Sequence, residues 1–212
     1  MVGNKRKMID LQSALMVSCD VVKGRRYRED YYTSIYCAAL AYVPEGGVML
    51  DVGTHLGNSA IAMAAACVGR GIQVHTVDPL YKTGEWHFPD ANNPGGYTFH
   101  ASLEAFNQRI ERCGLGEIIT LHPKTSGELL TEWTLPLNFV LIDGAHTYEA
   151  VLQDCKWLDK IIHGGFALFD DWIEPVECAV RHFIADRPEW RIVHESTRPP
   201  YGWMNITTLV KS

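Results

Sequence analysis

The sequence predicts an α/β fold, a seven-stranded and mostly parallel sheet with helices on both faces. Two observations predict it. Apolar strand-length runs alternate with helix-length stretches from about Gly47 to the end of the chain. The last two runs, "WRIVHES" and "NITTLVKS", have no helix between them, so they predict an antiparallel hairpin at one edge and a reversed last strand.

The elements follow in order. Residues 8 to 43 read as helical, with tyrosines at Tyr27, Tyr31, Tyr32 and Tyr36. They predict an N-terminal helical cap over 1–45, ahead of a core over 46–212, in one domain. "GVMLDVG" reads as the first strand, and the Ala-rich "SAIAMAAACVG" as a helix. "IQVHTVDP" is the second strand and "SLEAFNQRIERCG" a helix with a Gly stop. "EIITLHP" is the third strand, with a short helix in "SGELLTEW". "LNFVLIDG" is the fourth, and "YEAVLQDCKWLDKIIHGG" a helix ending at paired glycines. "FALFDDW" is the fifth, and "EPVECAVRHFIADRP" a helix with Pro175 near its start. Residues 80 to 100 read as one long irregular loop, a length that marks function or mobility.

Bulk properties narrow the function classes. Net charge is -6 with no long basic run, which argues against a nucleic-acid surface. No apolar run reaches the roughly 18 residues of a membrane span, and the N-terminus lacks a signal-peptide layout. The 6 cysteines show no CxxC spacing and read as free thiols. A cytoplasmic protein with no membrane partner is expected.

Three motifs carry chemistry, each at a strand end. In "LDVGTHLGNS", Asp51 ends a strand, and Gly53 and Gly57 surround the turn into a helix. Such a turn lets backbone approach a ligand and presents helix N–H groups, though a plain strand–helix turn has the same composition. Asp78 ends the second strand, where a carboxylate suits a ribose diol. The fourth strand ends on Asp143 and the fifth on Asp170–Asp171. Parallel neighbours bring these acids to one edge, and a divalent cation, Mg²⁺ or Mn²⁺, would relieve their repulsion. Alternatively, Asp143 caps the helix near Thr147 and one of the pair caps the helix near Glu174.

With these motifs in place, the chain resembles the class I S-adenosylmethionine-dependent methyltransferases, of Rossmann-like fold, from about Gly47 to Lys211. The resemblance implies a cofactor site of Asp51, Gly53, Thr54, Gly57, Asn58, Ser59, Asp78 and Asp143. It also places Lys124, Thr125 and above all Ser126 near the adenine. "DGAHTYEAVLQD" and "GGFALFDD" are similar to the metal-dependent O-methyltransferases, in particular a group that includes macrolide-sugar O-methyltransferases and cephalosporin hydroxylase-like proteins. That implies metal ligation by Asp143, Asp170 and Asp171. Where the catechol-type enzymes carry Lys, this chain carries His146.

His146 is a candidate general base, because an imidazole titrates near neutral pH; a helix-start residue or an extra metal ligand are its other readings. His55, inside the Gly turn, either approaches the substrate or fills the turn. Trp86, His87, Phe88, Tyr97, Phe99, Trp172, Tyr201 and Trp203 are candidate walls for a flat or sugar-like acceptor, or else core and dimer contacts. The N-terminal tyrosines are candidates to cover the site or form an oligomer surface. The expected activity is O-methylation of a small hydroxylated molecule in natural-product tailoring. The competing expectations are a metal-dependent hydroxylase or hydrolase and a non-catalytic cofactor-binding module.

Overall fold

The computed structural model describes residues 27–80, 85–90, 93–100, 102–195 and 206–212, with backbone alone for 27–29, 85–90 and 93–100. Seven strands form one sheet: β1 (Val48–Val52), β2 (Gln73–Val77), β5 (Ile119–His122), β6 (Leu137–Ile142), β7 (Ile161–Phe169), β8 (Trp190–Glu195) and β9 (Thr207–Lys211). Their order is β5-β2-β1-β6-β7-β9-β8. β9, last in the chain, is antiparallel to both β7 and β8; the other pairings are parallel. The expected sheet and reversed last strand are therefore present.

All five residues of β1 are buried, because helices cover both faces. Met49, Val74 and Phe139 face one core layer, shared with α1 (Tyr27–Tyr42), α2 (Asn58–Ala65) and α3 (Leu103–Cys113). Leu50, Val77 and Val140 face the other, shared with α4 (Ser126–Glu132), α5 (Tyr148–Asp154) and α6 (Glu174–Ile184). The period-2 alternation of side chains along each strand serves both layers at once. Among the described residues no helix is long and apolar enough to cross a membrane.

The register sets the site. Val52 pairs with Val77 and with Ile142, and Ile142 with Phe169, so four strands end level. The next residues continue the ladder: Gly53 N donates to Val77 O, Asp143 N to Val52 O and Asp170 N to Ile142 O. The chain leaves β1 toward β2 and β5, then returns to build β6 on β1's other side. That reversal of strand order falls between β1 and β6, the place at whose carboxyl ends open α/β sheets bind ligands.

Two expectations need correction. Residues 80 to 100 are not one irregular loop: β3 (Glu85–Asp90) and β4 (Asn93–His100) form an antiparallel hairpin, with Trp86 paired to Phe99 and Phe88 to Tyr97. Pro89, Pro94 and the Gly95–Gly96 pair obscured that alternation. The helix after Tyr148 stops at Asp154, passes through a 3₁₀ turn (Cys155–Lys160), and Ile161 already begins β7. The paired glycines lie inside that strand as a bulge, between the pairings Leu137–Ile161 and Phe139–Phe166. A Cβ on Gly165 would sit 2.6 Å from Ile161 Cγ2, so this bulge demands glycine. Helix is observed in α1 from Tyr27; the part expected over 8–26 lies outside the described residues, as do Tyr201 and Trp203.

Candidate functional site

The Gly turn after β1 is held from below. Gly53 has φ +91°, and a Cβ there would lie 2.2 Å from Asp143 O. The first and fourth strand ends thus touch through backbone, and only glycine permits it. Gly57, at φ +83°, would place a Cβ 2.9 Å from Phe106 of α3. Asp51 is fully buried, its Oδ2 accepting from Ser59 Oγ at 2.8 Å and Thr76 Oγ1 at 3.2 Å. It ties the first turn of α2 to two strands. Burial pushes its carboxyl up to about 6, against the pull of neighbouring hydroxyls. Asn58 Oδ1 accepts from Arg109 of α3, and Thr54 is buried in the turn.

Asp78 extends beyond β2 toward this turn. Its Oδ2 accepts from His55 N at 2.8 Å, so His55 contributes backbone here. Its Oδ1 is buried and makes no hydrogen bond among the described residues. Burial raises the Asp78 carboxyl above its ordinary value, opposed by the His55 N–H. A half-satisfied carboxylate beside a Gly turn fits a pair of ligand hydroxyls.

The segment expected near the adenine is used locally. Lys124 pairs with Glu132 at 2.8 Å, and Thr125 caps α4 in a capping box with Glu128. Ser126 Oγ accepts from Trp157 Nε1 at 2.8 Å and donates to Asp154 Oδ1 at 2.5 Å. Asp154, at 6% exposure, has its carboxyl pushed up to about 6 by burial. Ser126's hydroxyl thus braces the start of α4 against Asp154 and Trp157.

The acidic edge holds the most chemistry. His146 Nδ1 lies 3.2 Å from Asp171 Oδ2, and its Nε2 lies 3.7 Å from Asp143 Oδ1. Nε2 is sequestered and makes no hydrogen bond among the described residues. The hydrogen bond to Asp171 raises the imidazole above 6.5, outweighing the opposing burial. Asp143 Oδ2 accepts from the Tyr31 hydroxyl of α1 at 3.2 Å. None of the three acids occupies a helix N-cap position. Thr147 caps α5 through its own hydroxyl, and α6 begins at Ile173 without a side-chain cap. Among the described residues, His55 and Asp171 are the non-glycine residues with positive φ, and both sit at this edge.

The carboxylates reach one edge but do not converge. Among the described residues no three His, Cys, Asp or Glu side chains are grouped as a metal ion would need. His146 stands between Asp143 and Asp171 instead. Their oxygens are of the type magnesium prefers, but as arranged here they form no cation cage.

Tyr31 is the site residue that strand-end motifs missed. Its signal was the tyrosine cluster, but only packing of α1 shows which of those rings points inward. Asp154 ends the quoted "DGAHTYEAVLQD", yet its partnership with Ser126 and Trp157 crosses elements far apart in sequence.

A family model described as a methyltransferase domain matches residues 50–172, from the first strand through Trp172. Solved structures share the fold. The O-methyltransferase TomG of Streptomyces achromogenes, in complex with S-adenosylmethionine, superposes with TM-score 0.67 at 16% identity, over 95% of this chain and 89% of that one. An O-methyltransferase of Bacillus cereus gives 0.60 at 18% identity, over 99% and 94%. An rRNA methylase of Streptococcus thermophilus gives 0.59 at 13% identity, over 89% and 98%. A model that spans more than half of the chain, and takes in every strand-end acid described above, makes this protein a member of the class I S-adenosylmethionine-dependent methyltransferases.

Proposed function

We propose that the protein methylates a hydroxyl oxygen of a small molecule, with His146 as general base. The observation that carries this reading is the imidazole held at Nδ1 by Asp171, with Nε2 left without a hydrogen-bond partner among the described residues.

The tautomer follows from the partners. An ionised Asp171 accepts, so Nδ1 carries the proton and Nε2 presents its lone pair. Nε2 is enclosed here, so acceptor binding would have to open a path to it; the acceptor hydroxyl would then give up its proton to Nε2 as its oxygen takes the methyl group from the donor sulfur. The imidazolium formed would then face Asp143 Oδ1, 3.7 Å away, which favours the charge. The donor side would be held by Asp78 on the ribose hydroxyls and by the turn from Gly53 to Ser59, with Asp51 bracing it and Ser126 bordering the adenine. Bound there, S-adenosylmethionine supplies a sulfonium methyl that is already electrophilic, so the chain's task is alignment and proton removal.

Two similar structures named O-methyltransferases support an oxygen acceptor. The net charge of -6 favours a small molecule over RNA. The test is a methyl-transfer screen over sugars, phenols and other hydroxylated metabolites, with structured RNA as a separate arm and EDTA as a treatment. Transfer to a small hydroxyl that persists in EDTA and falls about 10²-fold or more in His146→Gln is expected. Transfer to RNA alone would overturn the acceptor class. Turnover abolished by EDTA and restored by Mg²⁺ would reassign Asp143, Asp170 and Asp171 as ligands, as the sequence pattern suggested.

A further inference from the structure

We propose that Tyr31 is a positioning residue of the acceptor site, its phenol fixing one oxygen of Asp143 so that the other faces His146. This rests on the methyl-transfer reading above and extends the site to an element outside its motifs. α1 precedes β1 and packs beside α2 on one face of the sheet, so its first turns come to the strands' carboxyl edge. The lengths agree: from Tyr31 to Tyr42 a helix climbs about 16 Å at 1.5 Å per residue, and the five residues of β1 span about the same.

The ring is fixed. Tyr31 is 5% exposed and meets Tyr32 edge-on, centroids 5.3 Å apart. Its hydroxyl lies 3.2 Å from Asp143 Oδ2. Burial, and then the charges of Asp143 and Asp170, hold the phenol's pKa well above 10, so it stays a neutral donor. A contiguous row results: Tyr31 on one Asp143 oxygen, His146 Nε2 3.7 Å from the other, and Asp171 at His146 Nδ1. Loss of the phenol hydroxyl removes the hydrogen bond on Asp143 Oδ2, beside the oxygen that faces Nε2, and leaves the donor turn at Gly53–Ser59 in place. Tyr31 therefore acts through Asp143 on proton removal and not on donor binding.

Tyr31→Phe keeps the ring and removes the hydroxyl alone. The expected result is a kcat about tenfold lower, with unchanged melting temperature and S-adenosylmethionine affinity by calorimetry. In an Asp143→Asn background the same substitution should change kcat by less than about twofold, because the two act as a unit. Tyr42→Phe, at the exposed end of α1, is the control with unchanged kcat. A readout independent of turnover is the ring ¹⁵N spectrum of His146, expected to shift in Tyr31→Phe and not in Tyr42→Phe. Wild-type kcat together with an unshifted His146 spectrum, or an equal loss in both backgrounds, would overturn the proposal. So would a fall in stability or donor affinity that accounts for the lost rate. A wild-type protein that transfers no methyl group would overturn the methyl-transfer reading instead, while the His146 spectrum still decides the role of Tyr31.

Discussion

At the residue scale, the proposed role of His146 as a base requires its Nε2 lone pair to be open to the acceptor. Its pairing with Asp171 raises its pKa above 6.5, so the rate should climb with pH through a midpoint above that value. Asp171→Asn should remove the main cause of the shift, moving that limb to lower pH and cutting kcat by about 10²-fold as the ring loses its fixed tautomer. A pH–rate profile of both proteins checks this, and an unmoved limb would remove Asp171 from the mechanism. The same shift has a stability consequence of defined sign. The folded protein holds the His146 proton more tightly than the unfolded chain, so this contribution is complete below pH 6.5 and is lost as pH rises through the folded value.

At the element scale, the level strand ends turn separate motifs into one site. Val52, Val77, Ile142 and Phe169 share a row, so the residues after them emerge side by side. Gly53 is the tightest joint, with the Asp143 carbonyl occupying the place of a side chain. Gly53→Ala combines that overlap with a left-handed φ, and should cost about 3 kcal/mol or more. For a chain of this size that is a fall in melting temperature of roughly 6–12 °C. Gly116→Ala, where a Cβ meets open space, should shift it little. Calorimetric melting of the two variants compares them directly; equal melting temperatures would mean that β1 and β6 are not locked at that joint.

At the scale of the whole molecule, the proposed donor site lies at the reversal of strand order, so ligand binding should brace both halves of the sheet. S-adenosylmethionine at about a hundredfold excess over its Kd should add about 2.7 kcal/mol, a melting rise of roughly 5–10 °C. Asp78→Ala should weaken binding by about 10- to 100-fold, since a charged partner for two hydroxyls is lost. That variant should show a much smaller rise at the same ligand concentration. An undiminished rise would take Asp78 out of the donor site.

The sequence by itself determined the class of fold, the reversed last strand and the strand ends that form the candidate site. Those features are local: a buried strand needs an apolar run, and a level edge puts whatever follows each run in a row. It also singled out Asp78, the acid directly after the second apolar run, and His146, three residues after the acid that follows the run ending at Ile142. It misread residues 80 to 100, where prolines and glycines outweighed the alternation of Trp86, Phe88, Tyr97 and Phe99. It misread the Gly164–Gly165 pair as a helix stop, because a bulge is specified by the neighbouring strand and not by the glycines. Only the tertiary structure decided how the acids are used: Asp51 as a buried brace, Asp171 as the holder of His146, and Asp143 between His146 and Tyr31. Side-chain pairing depends on the separation of atoms across elements more than a hundred residues apart, as for Tyr31 and Asp143, and linear spacing carries no measure of that distance.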